Sequence, residues 1–142
     1  MKKRICVIDG QGGGIGAAII KHLREIYGES YELVAAGTNA IAAAQMMKAG
    51  ANRVSSGENA VVRMVSEADV IAGTIGITWA NAMMGEVTPR MAEAVMSASA
   101  LKILLPLTQE RVVIVGVFKE PLPHLIKFLA EDELFREVLS HV

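Results

Sequence analysis

A chain of 142 residues with a net charge of −1 and a pI near 6.3 reads as one domain over residues 1–142, able to bury about two-thirds of its unfolded surface. The charge balance includes no basic block, which removes the electrostatic support that nucleic-acid binding needs. Hydrophobic residues make up 52% and mean hydropathy is +0.39, yet no apolar run approaches the ~18 residues of a membrane span, and the run after Lys2, Lys3 and Arg4 is too short for a signal peptide.

The first stretch carries most of the information. Ile5 to Ile8 is an apolar run suited to a strand buried on both faces. Five glycines in seven residues follow (Gly10, Gly12, Gly13, Gly14, Gly16), and then Ile15, Ile19, Ile20 and Leu23 recur at helical spacing. The helix is expected over 14–27. Strand, glycine turn and helix make a phosphate seat, because the backbone comes close and first-turn N–H groups face the ligand. A Walker A loop is excluded, since Ala17 and Ala18 follow Gly16 where Lys and Ser/Thr are required.

Two glycine registers remain. In the dinucleotide register G-x-G-x-x-G/A, Gly12 makes the tight turn, Gly14 admits a pyrophosphate and Ala17 permits close helix–sheet packing. The second register, Gly10-x-x-x-Gly14-x-Gly16, resembles the short-chain dehydrogenase loop, with Asp9 in place of the usual Thr. No Tyr-x-x-x-Lys pair accompanies it, because Tyr27 is followed four residues later by Tyr31 and Tyr31 by Ala35. Candidate ligand contacts are therefore Asp9, Gly10, Gln11, Gly12, Gly13, Gly14, Ile15 and Gly16, with Asp9 orienting the loop through backbone N–H groups or serving a metal-linked role. A lone Cys6 in the first strand and scattered His22, His124 and His141 leave no disulfide within the chain and no zinc cluster.

A second strand is expected over 31–37. In a dinucleotide fold its end meets a ribose and usually carries Asp or Glu; here stand Thr38 and Asn39, as ribose contacts or as a helix N-cap. Arg53 is the basic residue available to approach a 2′-phosphate. A helix over 40–49 stops at Gly50, a short strand fits within 51–56, and a helix spans 59–67 with Glu58 near its start. Residues 69–74 form a fourth strand beside the first, so the loop 74–86 hangs over the glycine turn. That loop holds Thr74, Gly76, Thr78, Asn81, Glu86 and Trp79, and 75–84 is apolar enough for a short helix. Trp79 among methionines reads as core or subunit contact ahead of stacking on a base, and Glu86 as a loop hydrogen-bond acceptor or a site carboxylate.

Thr88-Pro89 opens a helix running to about 100, Thr as N-cap and Pro at its first position. A fifth strand is expected over 102–107. The connection 108–110 is too short for a helical crossover, so 111–117 is expected to return antiparallel as an edge hairpin. Pro121 opens a final helix with Leu125, Phe128 and Leu129 on its apolar face.

Residues Val7 to Gly16, Ala68 to Ile77 and Gly85 to Pro89 are similar to a family of short, uncharacterised bacterial proteins, a domain of unknown function. The resemblance spans nearly the whole chain, centres on the Asp-Gly-Gln lead-in of DGQGGGIG, implies a small Rossmann-like protein and supplies no catalytic residue.

The expected fold is a three-layer α/β Rossmann-like sandwich, mostly parallel, with a C-terminal antiparallel edge hairpin. The expected function is binding of a nucleotide or dinucleotide, NAD(P) or another nucleotide, through the glycine loop, with Thr38, Asn39, Thr74 and Gly76 completing the pocket. A small enzyme on a nucleotide-type substrate, using Asp9, Asn81 or Glu86, and a regulatory module with a decayed site are the alternatives. The apolar, Met-rich composition adds the expectation of a cytoplasmic homo-oligomer, a dimer first, with no nucleic-acid or membrane partner.

Overall fold

The computed structural model describes residues 2–140; Met1, His141 and Val142 lie outside the described residues. Five strands, β1 (Arg4–Asp9), β2 (Glu32–Gly37), β3 (Arg53–Ser56), β4 (Val70–Thr74) and β5 (Leu101–Leu105), form one sheet in the order β3-β2-β1-β4-β5. Every pairing is parallel. The order reverses between β1 and β4, which opens a crevice beyond the carboxyl ends of these two strands.

Side chains of a strand alternate between its faces, and both faces here are covered. Ile5 and Val7 point to one face, packing with Ile19, Ile20 and Leu23 of α1 (Gly14–Tyr27) and with Ala42 and Met46 of α2 (Ala40–Lys48). Leu125 and Leu129 of α5 (Leu122–Glu131) and Phe135 of α6 (Glu133–Ser140) complete that layer. Cys6 and Ile8 point to the other face, against Val61 and Val65 of α3 (Glu58–Ser66) and Met91 and Val95 of α4 (Pro89–Ser97). The continuous apolar runs of β1 and β4 follow from this double burial.

Local chemistry sets the helix ends. Asn39 Oδ1 accepts the Ala42 N–H at 2.8 Å, and Thr88 Oγ1 accepts the Met91 N–H at 3.2 Å with Pro89 just inside α4. The expected last helix is broken in two. Asp132 Oδ1 accepts the Phe135 N–H at 2.9 Å and starts α6, which carries the fully buried Phe135 against Tyr27. Tyr27 in turn donates its hydroxyl to the Ala130 carbonyl at 2.8 Å, fastening α5 to α1.

The antiparallel hairpin is not formed. β5 ends at Leu105, and residues 106–121 are irregular. Glu110 turns the chain: its N–H donates to Thr108 Oγ1 and its carboxylate accepts the Met83 N–H, both at 3.0 Å, so the backbone bends back toward the crevice instead of running along β5. The following run bonds within itself, Val112 N–H to Glu110 carbonyl and Val117 N–H to Ile114 carbonyl. Its β-branched residues favour a pleated surface but find no partner strand. Pro106, within the strand expected over 102–107, lies outside β5. Two further bounds differ from expectation: α4 ends at Ser97, and the apolar 75–84 makes a 3-10 turn, Ile75–Thr78, followed by an irregular loop.

Candidate functional site

The glycine loop lies between β1 and α1 at the crevice, and its glycines serve different purposes. Gly13 has φ of +75°, and a Cβ there would lie 2.8 Å from the Ala42 Cα, so Gly13 and not Gly12 makes the tight turn. A Cβ on Gly16 would lie 2.7 Å from Met46 Sδ and 2.8 Å from Asp9 Cβ, so close packing of helix on sheet falls to Gly16 and not Ala17. Gly16 belongs to the second register, whereas Gly13 is a fixed position of neither. Gly10 is hemmed in by Glu86 and Met83, its Cβ position 2.9 Å from Glu86 Oε1 and from Met83 Sδ. Gly12 and Gly14 are exposed, and a Cβ on either would meet no atom within 4 Å. Among the described residues, their N–H groups have no protein acceptor.

Asp9, at the end of β1, is 6% exposed and directs its carboxylate into the loop. Oδ1 accepts the Gly10 N–H at 2.8 Å and Oδ2 the Gly16 N–H at 2.7 Å. It thereby supplies the negative charge at the start of α1, which has no acidic residue in its first turn and no side-chain cap. Burial pushes the Asp9 carboxyl above its ordinary value, opposed by the N–H groups of Gly16 and Gly10 and reinforced by the nearby Glu86 charge. The loop-orienting role expected for Asp9 accounts for both of its oxygens.

Glu86 reaches the loop from the opposite side. Its Oε1 accepts from the Gln11 N–H at 2.8 Å, the Thr38 hydroxyl at 2.7 Å and the Asn39 amide at 2.8 Å. Burial acts to raise its pKa, but these three donors outweigh burial and hold the carboxyl below its ordinary value. Asn39 also donates to the Gln11 carbonyl at 3.0 Å while capping α2. Thr38 and Asn39 are thus bound to the chain's own carboxylate. The segment that brings Glu86 here is unusual in its backbone: Asn81, Met83 and Met84 have φ of +69°, +57° and +58°, and Gly85 follows at +91°.

A cleft of about 310 Å³ opens on the β4 side of the loop. Asp9, Gln11 and Ile15, then Thr74, Gly76, Ala82 and Met83, and residues 107–110 line it. No Lys, Arg or His lines it. The structure therefore brings Asp9, Gln11, Ile15, Thr74 and Gly76 together in the cleft, sets Gly12 and Gly14 at the open start of α1, and leaves Thr38 and Asn39 on the far side behind Glu86. Trp79 packs on the core beneath α4, in line with the core reading. Asn81 is exposed, and its N–H donates to the Val87 carbonyl at 2.7 Å. The lining at 107–110 is not legible in the sequence, because 107 reads as strand and 108–110 as a hairpin connection. No group of three or more His, Cys, Asp or Glu placed to hold a metal occurs among the described residues.

Fold and site together define an all-parallel, helix-flanked α/β domain with a glycine loop at the point where strand order reverses. The chain belongs to the family described as "Domain of unknown function (DUF3842)", which matches residues 4–135. No curated protein matches. Among solved structures, one described as a universal stress protein in complex with cAMP is similar at 16% identity, over 74% of this chain and 98% of that chain, with a TM-score of 0.42. At that distance no ligand is carried over from it. No helix among the described residues is long and apolar enough to cross a membrane.

Proposed function

We propose that this Rossmann-like chain binds a nucleotide-type small molecule, with a phosphate on the open backbone at Gly12 and Gly14 and the remainder in the cleft toward Thr74 and Gly76. One observation carries this reading: Gly12 and Gly14 are glycines for which the fold has no steric use, and their N–H groups face no acceptor among the described residues. A backbone kept bare at a helix N-terminus suits close approach by an anion. The reading is one of binding. The Asp9 oxygens are committed to loop N–H groups and Glu86 Oε1 to its three donors, which speaks against either as a free acid–base group.

Two further expectations belong to the same reading. The chain associates with a second copy, supported by Val113, Val115 and Phe118 standing 89%, 93% and 81% exposed on one run. It works in the cytoplasm, supported by a single buried Cys6 whose thiol burial pushes up to about 12, a protonated and unreactive sulfur.

Thermal denaturation of wild type and Gly14→Val with a nucleotide panel, NAD and NADP included, with and without magnesium, tests the reading. Ligand at ~100 times its Kd adds about 2.7 kcal/mol, read as a rise of several degrees in Tm. A rise in wild type that disappears in Gly14→Val supports the site; no rise with any nucleotide overturns it.

A further inference from the structure

The place that a second nucleoside needs is already filled. In a dinucleotide-binding sheet, one half of the ligand lies over the β4 side of the crevice and the other over the end of β2, where an acidic side chain receives the ribose hydroxyls. Here the end of β2 presents donors, the Thr38 hydroxyl and the Asn39 amide, and no acid. Both donors, together with the Gln11 N–H, converge on Glu86 Oε1 within 2.8 Å. The Met83 thioether closes in beside it, and the Gly10 Cα is left without room for even a methyl group, its Cβ position 2.9 Å from Met83 Sδ and from Glu86 Oε1. The loop is fixed from the other direction as well, because Glu110 accepts the Met83 N–H at 3.0 Å. What stays open is the 310 Å³ cleft on the β4 side, at the low end of the ~300–1,000 Å³ usual for small-molecule sites.

From this arrangement we infer that Glu86 sets the size class of the ligand: the site takes a mononucleotide and refuses a dinucleotide. The inference rests on the nucleotide reading above and narrows it. A mononucleotide places its phosphate at Gly12 and Gly14 and its nucleoside between Ile15 and Thr74. A dinucleotide must displace a carboxylate that holds three hydrogen bonds, leaving the Gln11, Thr38 and Asn39 donors to find new acceptors. Glu86 does this by geometry, and it does not need to touch the ligand.

The test is titration calorimetry of the full chain with AMP, GMP, CMP and UMP against NAD and ADP-ribose, on wild type, Glu86→Gln and Glu86→Ala. Wild type binds at least one mononucleotide more tightly, by about tenfold or more, than either dinucleotide-sized probe. Glu86→Gln keeps an acceptor oxygen at the same place and keeps that preference, whereas Glu86→Ala opens the β2 side and narrows the gap. NAD or ADP-ribose binding to wild type as tightly as every mononucleotide overturns the inference and leaves the nucleotide reading standing. Binding of none of the six probes overturns the inference, and the nucleotide reading falls with it when the thermal panel is silent as well. A gap that stays unchanged in Glu86→Ala removes Glu86 as its cause, and where Glu86→Ala fails to fold, Glu86→Asp, which draws the carboxylate back by one methylene, is the variant expected to narrow the gap.

Discussion

Asp9 at the end of β1 accepts the N–H of Gly16, seven residues along the chain and inside α1, at 2.7 Å, while its other oxygen accepts from Gly10 at 2.8 Å. A single carboxylate thus clasps strand, loop and helix, and the loop keeps its shape without a ligand. Asp9→Asn preserves the volume but replaces one acceptor by an amide N–H, so Gly10 or Gly16 faces a donor and one buried N–H is orphaned. The expected cost is about 1–3 kcal/mol, read as a lower urea midpoint with an unchanged m-value. A midpoint equal to wild type would remove the clasp from the account of the loop.

The two carboxylates of the site respond to acid in opposite directions. Glu86 is held below its ordinary 4.5, burial raising it and its three donors lowering it further. Its contribution is complete above pH 4.5 and is lost as pH falls through the lower folded-state value. Asp9 is pushed above its ordinary 3.8, chiefly by burial, so the titration-linked part of its contribution is complete below 3.8 and is lost as pH rises through the raised value, while its two backbone hydrogen bonds remain. The destabilisation by Glu86→Gln, about 1 kcal/mol at neutral pH, therefore shrinks on acidification, while that of Asp9→Asn grows. Urea denaturation of the three proteins at about pH 7 and about pH 3.5 measures both trends. Parallel trends for the two variants would contradict the assigned environments.

Alanine substitutions along the loop should separate glycines that build the fold from those that serve a ligand. Gly13→Ala combines φ of +75° with a Cβ 2.8 Å from the Ala42 Cα, and a backbone neighbour does not yield. It is expected to cost more than about 2 kcal/mol. Gly12→Ala and Gly14→Ala place their methyl groups in open space and should leave the free protein unchanged or raise its stability by about 0.4–1 kcal/mol through the unfolded chain. Thermal denaturation of the three variants without ligand is the measurement. A large loss in Gly12→Ala or Gly14→Ala would give those glycines a structural use and remove the main support for the site.

What could be read in the sequence, and what could not, divides along the reach of each signal. β1, α1 and β4 were legible because an uninterrupted apolar run and a helical apolar spacing are local consequences of burial. The Thr88-Pro89 helix start was legible for the same reason, since a cap involves neighbours three residues apart. The role of Gly13 was not, because which of three successive glycines takes positive φ depends on where Ala42 sits across the turn. Glu86 appeared as a loop carboxylate, but its donors at Gln11, Thr38 and Asn39 lie between 47 and 75 residues away in sequence. The hairpin at 111–117 failed because β propensity describes what fits a pleated neighbour, and Glu110 carries the chain away from the neighbour it would need.

That failed hairpin leads to the last prediction. The run from Val112 to Phe118 keeps the composition of a strand and pairs with none, so apolar side chains stand in water: Val113 is 89% exposed, Val115 93% and Phe118 81%. Contiguous apolar exposure of this kind suits the proposed contact between copies, and β5, paired with β4 alone, leaves a free sheet edge. Val113→Ser with Val115→Ser removes apolar area that the monomer does not use, so folding stability should change by no more than about 0.5 kcal/mol. Sedimentation velocity should show a dimer for wild type and a monomer, or a dissociation constant raised at least tenfold (about 1.4 kcal/mol), for the double variant. A wild-type chain that sediments as a monomer up to about 100 µM, with a Kd therefore weaker than that concentration, would remove self-association from the reading. Retention of the dimer by the double variant would instead move the contact to another face.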